Sequence, residues 1–274
     1  MKKISPILLG LSVAVAGSSM ATAQQASTSA PKVLQITREF VKAGKAGTPH
    51  DKSESAFVKA MAEAKEPTHY VATCSLSGKS RCLYFTGYPS FDAWQKDTQA
   101  IGKNKDLSAK LDEAMVADGE LLDSVDQAVL TYDADMSYHA PGPTPQARFM
   151  EITEFHVREG HSKDFADLAK MYIAACEKVG TSAHWGMYHM EYGGPSGTYL
   201  LLSSDKSMAE IDSGFAEGKK IQAAMGEEGM KKFQELEVAA VVSVDSQLFS
   251  INPRQSYVSD DWIKADPDFW MPAQ

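Results

Sequence analysis

Histidine is the side chain best suited to proton chemistry near neutral pH, and this 274-residue chain has seven. His184 and His189 lie five apart in the strand-like run 183–191, so alternation turns them to opposite faces and they cannot share an ion. His156 and His161 straddle the end of another strand-like run and its turn, where His161 reads as a solvated loop residue. No metal site is expected from these spacings. H-E-x-x-H, C-x-x-C, G-x-S-x-G and G-x-G-x-x-G are all absent.

His69 and His184 stand out because each occupies the same point of a repeated pattern, Thr68-His69-Tyr70 and Ala183-His184-Trp185. One reading is a hydrogen-bonded core histidine. The other is a polar group in an apolar pocket lined by Trp185, Tyr188 and Tyr199, with His69 and Tyr84 as first-copy counterparts, orienting or deprotonating a small aromatic ligand. Alternation sets His184 and Tyr188 on one face and Trp185, Met187 and His189 on the other, so only one set lines a given cavity. His184 with Tyr188 is the expected set, joined by His156; His184 and His156 are the candidate bases. Arg38 and Glu154 hold matched positions with opposite charge, which predicts a salt bridge across a pseudo-twofold axis.

The three cysteines cannot all pair within one chain. Cys74 and Cys82 flank Ser77-Gly78-Lys79, and a hairpin loop there sets them opposite each other, as a cross-hairpin disulfide or as two buried thiols. Cys176 falls on an apolar helical stripe and reads as core.

Positioning these residues requires a duplicated chain. Leu34-Gln35-Ile36-Thr37 matches Met150-Glu151-Ile152-Thr153, and Val41 to Lys45 matches Val157 to His161. Leu83-Tyr84-Phe85 aligns less well with Thr198-Tyr199-Leu200, and Ser124-Val125-Asp126 recurs as Ser243-Val244-Asp245. The second copy reads as a strand over 149–157, then a helix from Ser162 to Gly180 with Phe165, Leu168, Tyr172 and Cys176 on one stripe. Strands over 183–191 and 198–204 flank the loop 193–197. A second helical region opens on the capping box Ser207-Met208-Ala209-Glu210 and breaks near Gly226 or Gly229, and a last strand covers 246–252. In the first copy, Thr48-Pro49 starts a helix with Phe57, Ala60, Met61 and Ala64 buried, and Ser90 starts the next. The predicted fold class is α+β: two ferredoxin-like βαββαβ repeats, 33–138 and 148–257, whose sheets face each other as an intrachain pseudo-dimeric barrel. Segment 139–147 reads as a linker and 258–274 as an aromatic tail.

Lys2-Lys3, the apolar run 7–16 and Ala21-Thr22-Ala23 give the layout of a signal peptide over 1–23, followed by a flexible leader over 24–32. The apolar run is about half the roughly 20 residues a membrane span needs. A periplasmic or secreted protein with no membrane partner after cleavage is expected. The net charge of -9 removes the electrostatic basis for nucleic-acid binding.

The pattern Ile36 to Lys45, repeated as Ile152 to His161 and followed by a Phe-led helix, resembles the first strand and turn of NIPSNAP-type and related dimeric α+β barrel proteins. That resemblance implies a superfamily containing cofactor-free monooxygenases, small-aromatic isomerases, haem-handling proteins related to chlorite dismutase, and members without known activity. Three functions follow as expectations: a barrel binding a small apolar or aromatic molecule without a cofactor; a cofactor-free oxygenase or isomerase; and a haem protein with a histidine axial ligand. Homo-oligomerisation is left open.

Overall fold

A computed structural model describes residues 29–140 and 144–271. The expected signal peptide, the leader up to residue 28 and linker residues 141–143 lie outside the described residues. The first half runs β1 (Val33–Val41), α1 (Thr48–Ala64), β2 (Tyr70–Ser75), β3 (Arg81–Tyr88), α2 (Phe91–Lys103), α3 (Lys105–Gly119) and β4 (Leu122–Tyr138). The second runs β5 (Phe149–Val157), α4 (Ser162–Val179), β6 (Trp185–Tyr192), β7 (Thr198–Asp205), α5 (Met208–Ala240) and β8 (Val241–Ile251). Two short helices follow, α6 (Asp260–Ala265) and α7 (Pro267–Trp270).

All neighbouring strands pair antiparallel, and the sheet closes as β1-β3-β2-β8-β5-β7-β6-β4. Each half contributes its strands in one order, β4-β1-β3-β2 and β8-β5-β7-β6, and the halves join at β2–β8 and β4–β6. Closure leaves each strand paired on both sides over part of its length and encloses a lumen. The registers correct one alignment. Thr37 pairs with Tyr84 and Thr153 with Leu201, so Tyr84 matches Leu201, and Cys82 matches Tyr199. A shared tyrosine suggested the other alignment, but alternation decides: Leu83 and Phe85 must face the lumen as Leu200 and Leu202 do.

Alternate residues of the strands fill that lumen, among them Leu34, Ile36, Leu83, Leu130, Ile152 and Phe249. The opposite face takes the helices. Phe165, Leu168, Met187 and Tyr199 pack between sheet, α4 and α5, and Ala60, Met61 and Leu107 pack under α1 and α3. Each large apolar side chain buried this way contributes about 1.5–3 kcal/mol.

Local chemistry sets the boundaries. Pro49 stands in the first turn of α1, and Ser90 Oγ accepts from Ala93 N at 3.1 Å to cap α2. Gly180, at φ 68°, ends α4 in the left-handed conformation that glycine adopts without strain. Ser207 Oγ accepts from Glu210 N at 3.3 Å to cap α5, the Glu210 carboxylate accepts from Lys206 N one residue before the cap, and Gly226 interrupts the helical path at φ 70°. β8 begins at Val241, earlier than the expected 246, because it follows α5 directly. Gly193 has no substitute: a Cβ there would lie 2.0 Å from Gln127 O.

The segments outside the repeats are tied down where they are described. Pro31, in the expected flexible leader, lies against Gly87, and Lys32 O accepts from Tyr132 N at 3.0 Å. Ala147 is buried with Ile251 and Trp270. Trp270 Nε1 donates to Pro145 O at 2.9 Å, and Arg148 stacks on Phe269 at 3.8 Å while pairing with Asp266. No helix among the described residues is long and apolar enough to cross a membrane.

Candidate functional site

Strand alternation and the closed register bring matched residues of both halves to one end of the lumen. A cavity of about 420 Å³ opens there, lined by Leu34 and Met150, Phe85 and Leu202, and His69 and His184. Gly186 faces it opposite Val71 in the repeat, and a side chain at Gly186 would press on the Tyr188 ring at 3.1 Å. Tyr188 adds its ring, and Trp262 from α6 and residues 29–32 form the rim. His69 stacks on Tyr257 at 4.8 Å, and burial lowers its pKa, so the ring is neutral at pH 7. His184 is differently placed: Nε2 lies 2.8 Å from Ser204 O and Nδ1 3.2 Å from Ser182 O. Burial pushes the Tyr188 phenol far above its ordinary pKa, keeping it a neutral donor.

The other expected site residues lie elsewhere. Trp185 faces the helices, donating to Met136 O at 2.9 Å and packing on Tyr172. Tyr199 lies between Phe165 and His189, with ring centroids at 4.9 and 4.7 Å. Tyr84 faces the first half's helices and donates to Gln255 Oε1 at 3.1 Å. All three stand on strand positions of opposite parity to the lumen, which removes them from the cavity. His156 does share the parity of Met150, but six residues further along β5, roughly 20 Å away. It meets Glu154 Oε1 and Thr198 Oγ1, each at 3.1 Å, and so does not join His184. Arg38 pairs with Asp126 and donates to Gly193 O, leaving Glu154 to His156 in place of the expected cross-axis bridge. Cys74 and Cys82 are disulfide-bonded, with Cα atoms 4.1 Å apart, and Cys176 is a buried free thiol.

Sequence reasoning missed a second cluster, between the sheet and helices of the first half. Glu39 reaches it from β1, His50 and Glu54 from successive turns of α1, and Asp118 from the end of α3. His50 Nε2 lies 3.1 Å from Glu39 Oε2 and 3.6 Å from Asp118 Oδ1. On the other side of the ring, Nδ1 is 3.3 Å from Gln255 Nε2 and 3.7 Å from Cys82 Sγ. Burial, reinforced by Glu39 and Asp118, raises the Glu54 pKa to about 9, and burial raises that of Asp118 as well. The signal available was His50-x-x-x-Glu54, one helical turn apart on the face that also carries Met61.

For haem, the cavity offers His69 rather than His184 as an axial imidazole. An axial imidazole needs a nitrogen open to the iron, and both His184 nitrogens face backbone carbonyls. Among the described residues of the lining, Lys32 is the only cation for the two propionates of a haem.

No family model and no curated protein matches the chain. Solved structures do. A candidate monooxygenase from Lactobacillus acidophilus is similar over 83% of this chain and 99% of its own, at 9% identity and a TM-score of 0.50. One from Fusobacterium nucleatum is similar over 81% and 93%, at 12% identity and a TM-score of 0.52. At such identities the likeness is one of fold. The chain is an α+β barrel of the dimeric α+β barrel type, closed within a single polypeptide.

Proposed function

We propose that the lumen cavity binds a small, largely apolar ring-bearing molecule, oriented by His69. The observation that carries this reading is the cavity itself: its volume falls in the range of about 300–1,000 Å³ typical of small-molecule sites. Its walls combine Leu34, Phe85, Met150 and Leu202 with a neutral imidazole and the ring of Tyr188. An uncharged imidazole can accept from or donate to one hydroxyl or carbonyl without the cost of burying a charge. His184 holds the wall, since its ring sits between the carbonyls of Ser182 and Ser204 and an N–H donates to one of them.

The same neutral His69 supports a second reading, a cofactor-free oxygenase or isomerase in which that imidazole removes a proton from the bound molecule. Two finer assignments belong to this proposal. The repeated strand order supports two ferredoxin-like units, and the turn shared by Val41–Lys45 and Val157–His161 supports a NIPSNAP-type relationship. The Cys74–Cys82 disulfide supports function in an oxidising compartment, as the expected export signal does.

The test uses 1-naphthol, a neutral two-ring phenol. Titration followed by fluorescence should show saturable binding, and Val71→Phe, which projects a ring into the cavity, should weaken it at least tenfold while leaving the protein folded. Absence of saturable binding, or binding unchanged in the folded variant, contradicts the proposal. Turnover of a phenolic substrate that is lost in His69→Gln, with binding retained, would favour the catalytic reading.

A further inference from the structure

We propose that Glu39, His50, Glu54 and Asp118 form a buried site for one divalent first-row transition cation. Each residue offers a ligand atom, and the four atoms all lie within 4.8 Å of one another. Bonds of about 2.0–2.1 Å in a tetrahedron correspond to donor separations of roughly 3.3 Å, so small side-chain rotations gather this set around an ion. The residues come from three elements, β1, α1 and α3, and thus enclose a point instead of lying along one surface.

A cluster of acids alone would not identify a site. Here, two oxygens have been taken out of water without a full hydrogen bond, His50 Nε2 standing off Asp118 Oδ1 at 3.6 Å. Glu54 Oε1 and Asp118 Oδ1 have no hydrogen-bond partner, on side chains of residues only 3% and 2% exposed. Leaving buried polar oxygens unsatisfied costs about 1–3 kcal/mol each, more for charged groups, and a cation in their midst removes that cost. Three carboxylates with one imidazole suit a cation that accepts both oxygen and nitrogen, such as Zn²⁺ or Mn²⁺, better than Mg²⁺ or Ca²⁺, which take oxygen throughout.

The histidine is held in one orientation. His50 is fully buried, Nε2 faces the carboxylates, and Nδ1 faces the Gln255 carboxamide. Gln255 is itself fixed by Tyr84 and Asp51, at 3.1 and 2.9 Å, so the ring cannot turn freely. Ligation at Nε2 moves its proton to Nδ1, which requires the Gln255 amide to turn its Oε1 instead of its Nε2 toward that nitrogen. The Glu39 side chain, at 11% exposure, is the most accessible of the four and marks the way in.

This site is separate from the lumen cavity and stands or falls independently of it. The full chain is stripped with chelator and dialysed against ZnCl₂, MnCl₂, MgCl₂ or CaCl₂ in turn, and bound metal is measured by mass spectrometry. One equivalent of Zn²⁺ or Mn²⁺ per chain is expected, with Mg²⁺ and Ca²⁺ at least tenfold weaker. Glu54→Gln and His50→Gln should each weaken binding of the transition ion at least tenfold. Both sites are buried, so folding is verified by near-ultraviolet circular dichroism. Where a variant does not fold, X-ray absorption of the Zn²⁺-loaded parent decides, with one imidazole and three carboxylates expected. No retained ion, equal retention by a folded variant, or an absorption spectrum lacking the imidazole overturns the proposal.

Discussion

The two halves share a strand order and a lumen, yet the layer between sheet and helices differs between them in kind. In the second half, Phe155, Phe165 and Tyr199 pack in series as tilted rings, with centroids 5.3 and 4.9 Å apart, and Leu236 and Ala240 close the layer. At the corresponding points of the first half stand Glu39, His50 and Cys82, with Glu54 and Asp118 beside them. The Cys74–Cys82 disulfide occupies the place where His189 and Tyr199 meet. The lumen residues of the two halves stand in matched pairs, while one helix layer is an apolar core and the other a polar cluster. Stability and function can therefore be probed separately, one half at a time.

The largest effect should come from the apolar layer. Phe165→Ala removes a ring that is 2% exposed and touches two others, and should cost about 3–5 kcal/mol, read as a lower midpoint in urea unfolding. A loss below about 1 kcal/mol would show that the second layer is loosely packed and the contrast weaker than described.

Next comes the covalent tie. Replacing Cys74 and Cys82 together with Ala should cost about 2–3 kcal/mol by relaxing the unfolded chain. His189→Ala, at the matching position, should cost about 1 kcal/mol or less, because its ring, bordering Tyr199 and meeting Glu191 at 3.0 Å, is partly exposed. Equal losses would deny the disulfide its distinct role.

Carrying the second half's chemistry into the first sharpens the comparison further. Glu39→Phe, His50→Phe, Glu54→Ala and Asp118→Leu combined should leave the metal-free protein as stable as its parent, or more stable by about 1–4 kcal/mol, because well-packed apolar groups replace buried charges. A folded variant clearly less stable than the metal-free parent would mean that the cluster is built for stability.

The gentlest probe is pH. The Glu54 carboxyl titrates at about 9 in the folded protein against an ordinary 4.5, so its protonated form is the one the fold favours. That contribution is complete below about pH 4.5 and is lost as pH rises through about 9, and Asp118 shifts in the same direction. Chelator-treated protein should therefore lose melting temperature between pH 5 and 9 more steeply than Glu54→Gln does. Parallel profiles would contradict the raised carboxyl.

Much of the barrel was legible because its information is periodic. Phe165, Leu168 and Cys176 announce α4, Gly180 its end, and the offset near 116 announces the strand order the two halves share; the register of β3 was not legible, because a chance tyrosine match competed with alternation. The cavity was partly legible: His69 and His184 recur at one point of the repeat, and both line it. Trp185, Tyr199 and Tyr84 were drawn toward it by their aromatic character, although their parity sends them to the helices. The cluster around His50 escaped because its members are 79 residues apart in sequence at the extremes, Glu39 and Asp118, and only the fold brings β1, α1 and α3 together.

The most direct test of the binding account is a crystal structure of the full chain grown with 1-naphthol. The account predicts a ring between Phe85 and Leu202, with its hydroxyl within hydrogen-bond distance of a His69 nitrogen and the His184 ring still between the carbonyls of Ser182 and Ser204. Electron density for the ligand only outside the lumen, or side chains collapsed across the cavity between Leu34 and Met150, would contradict it.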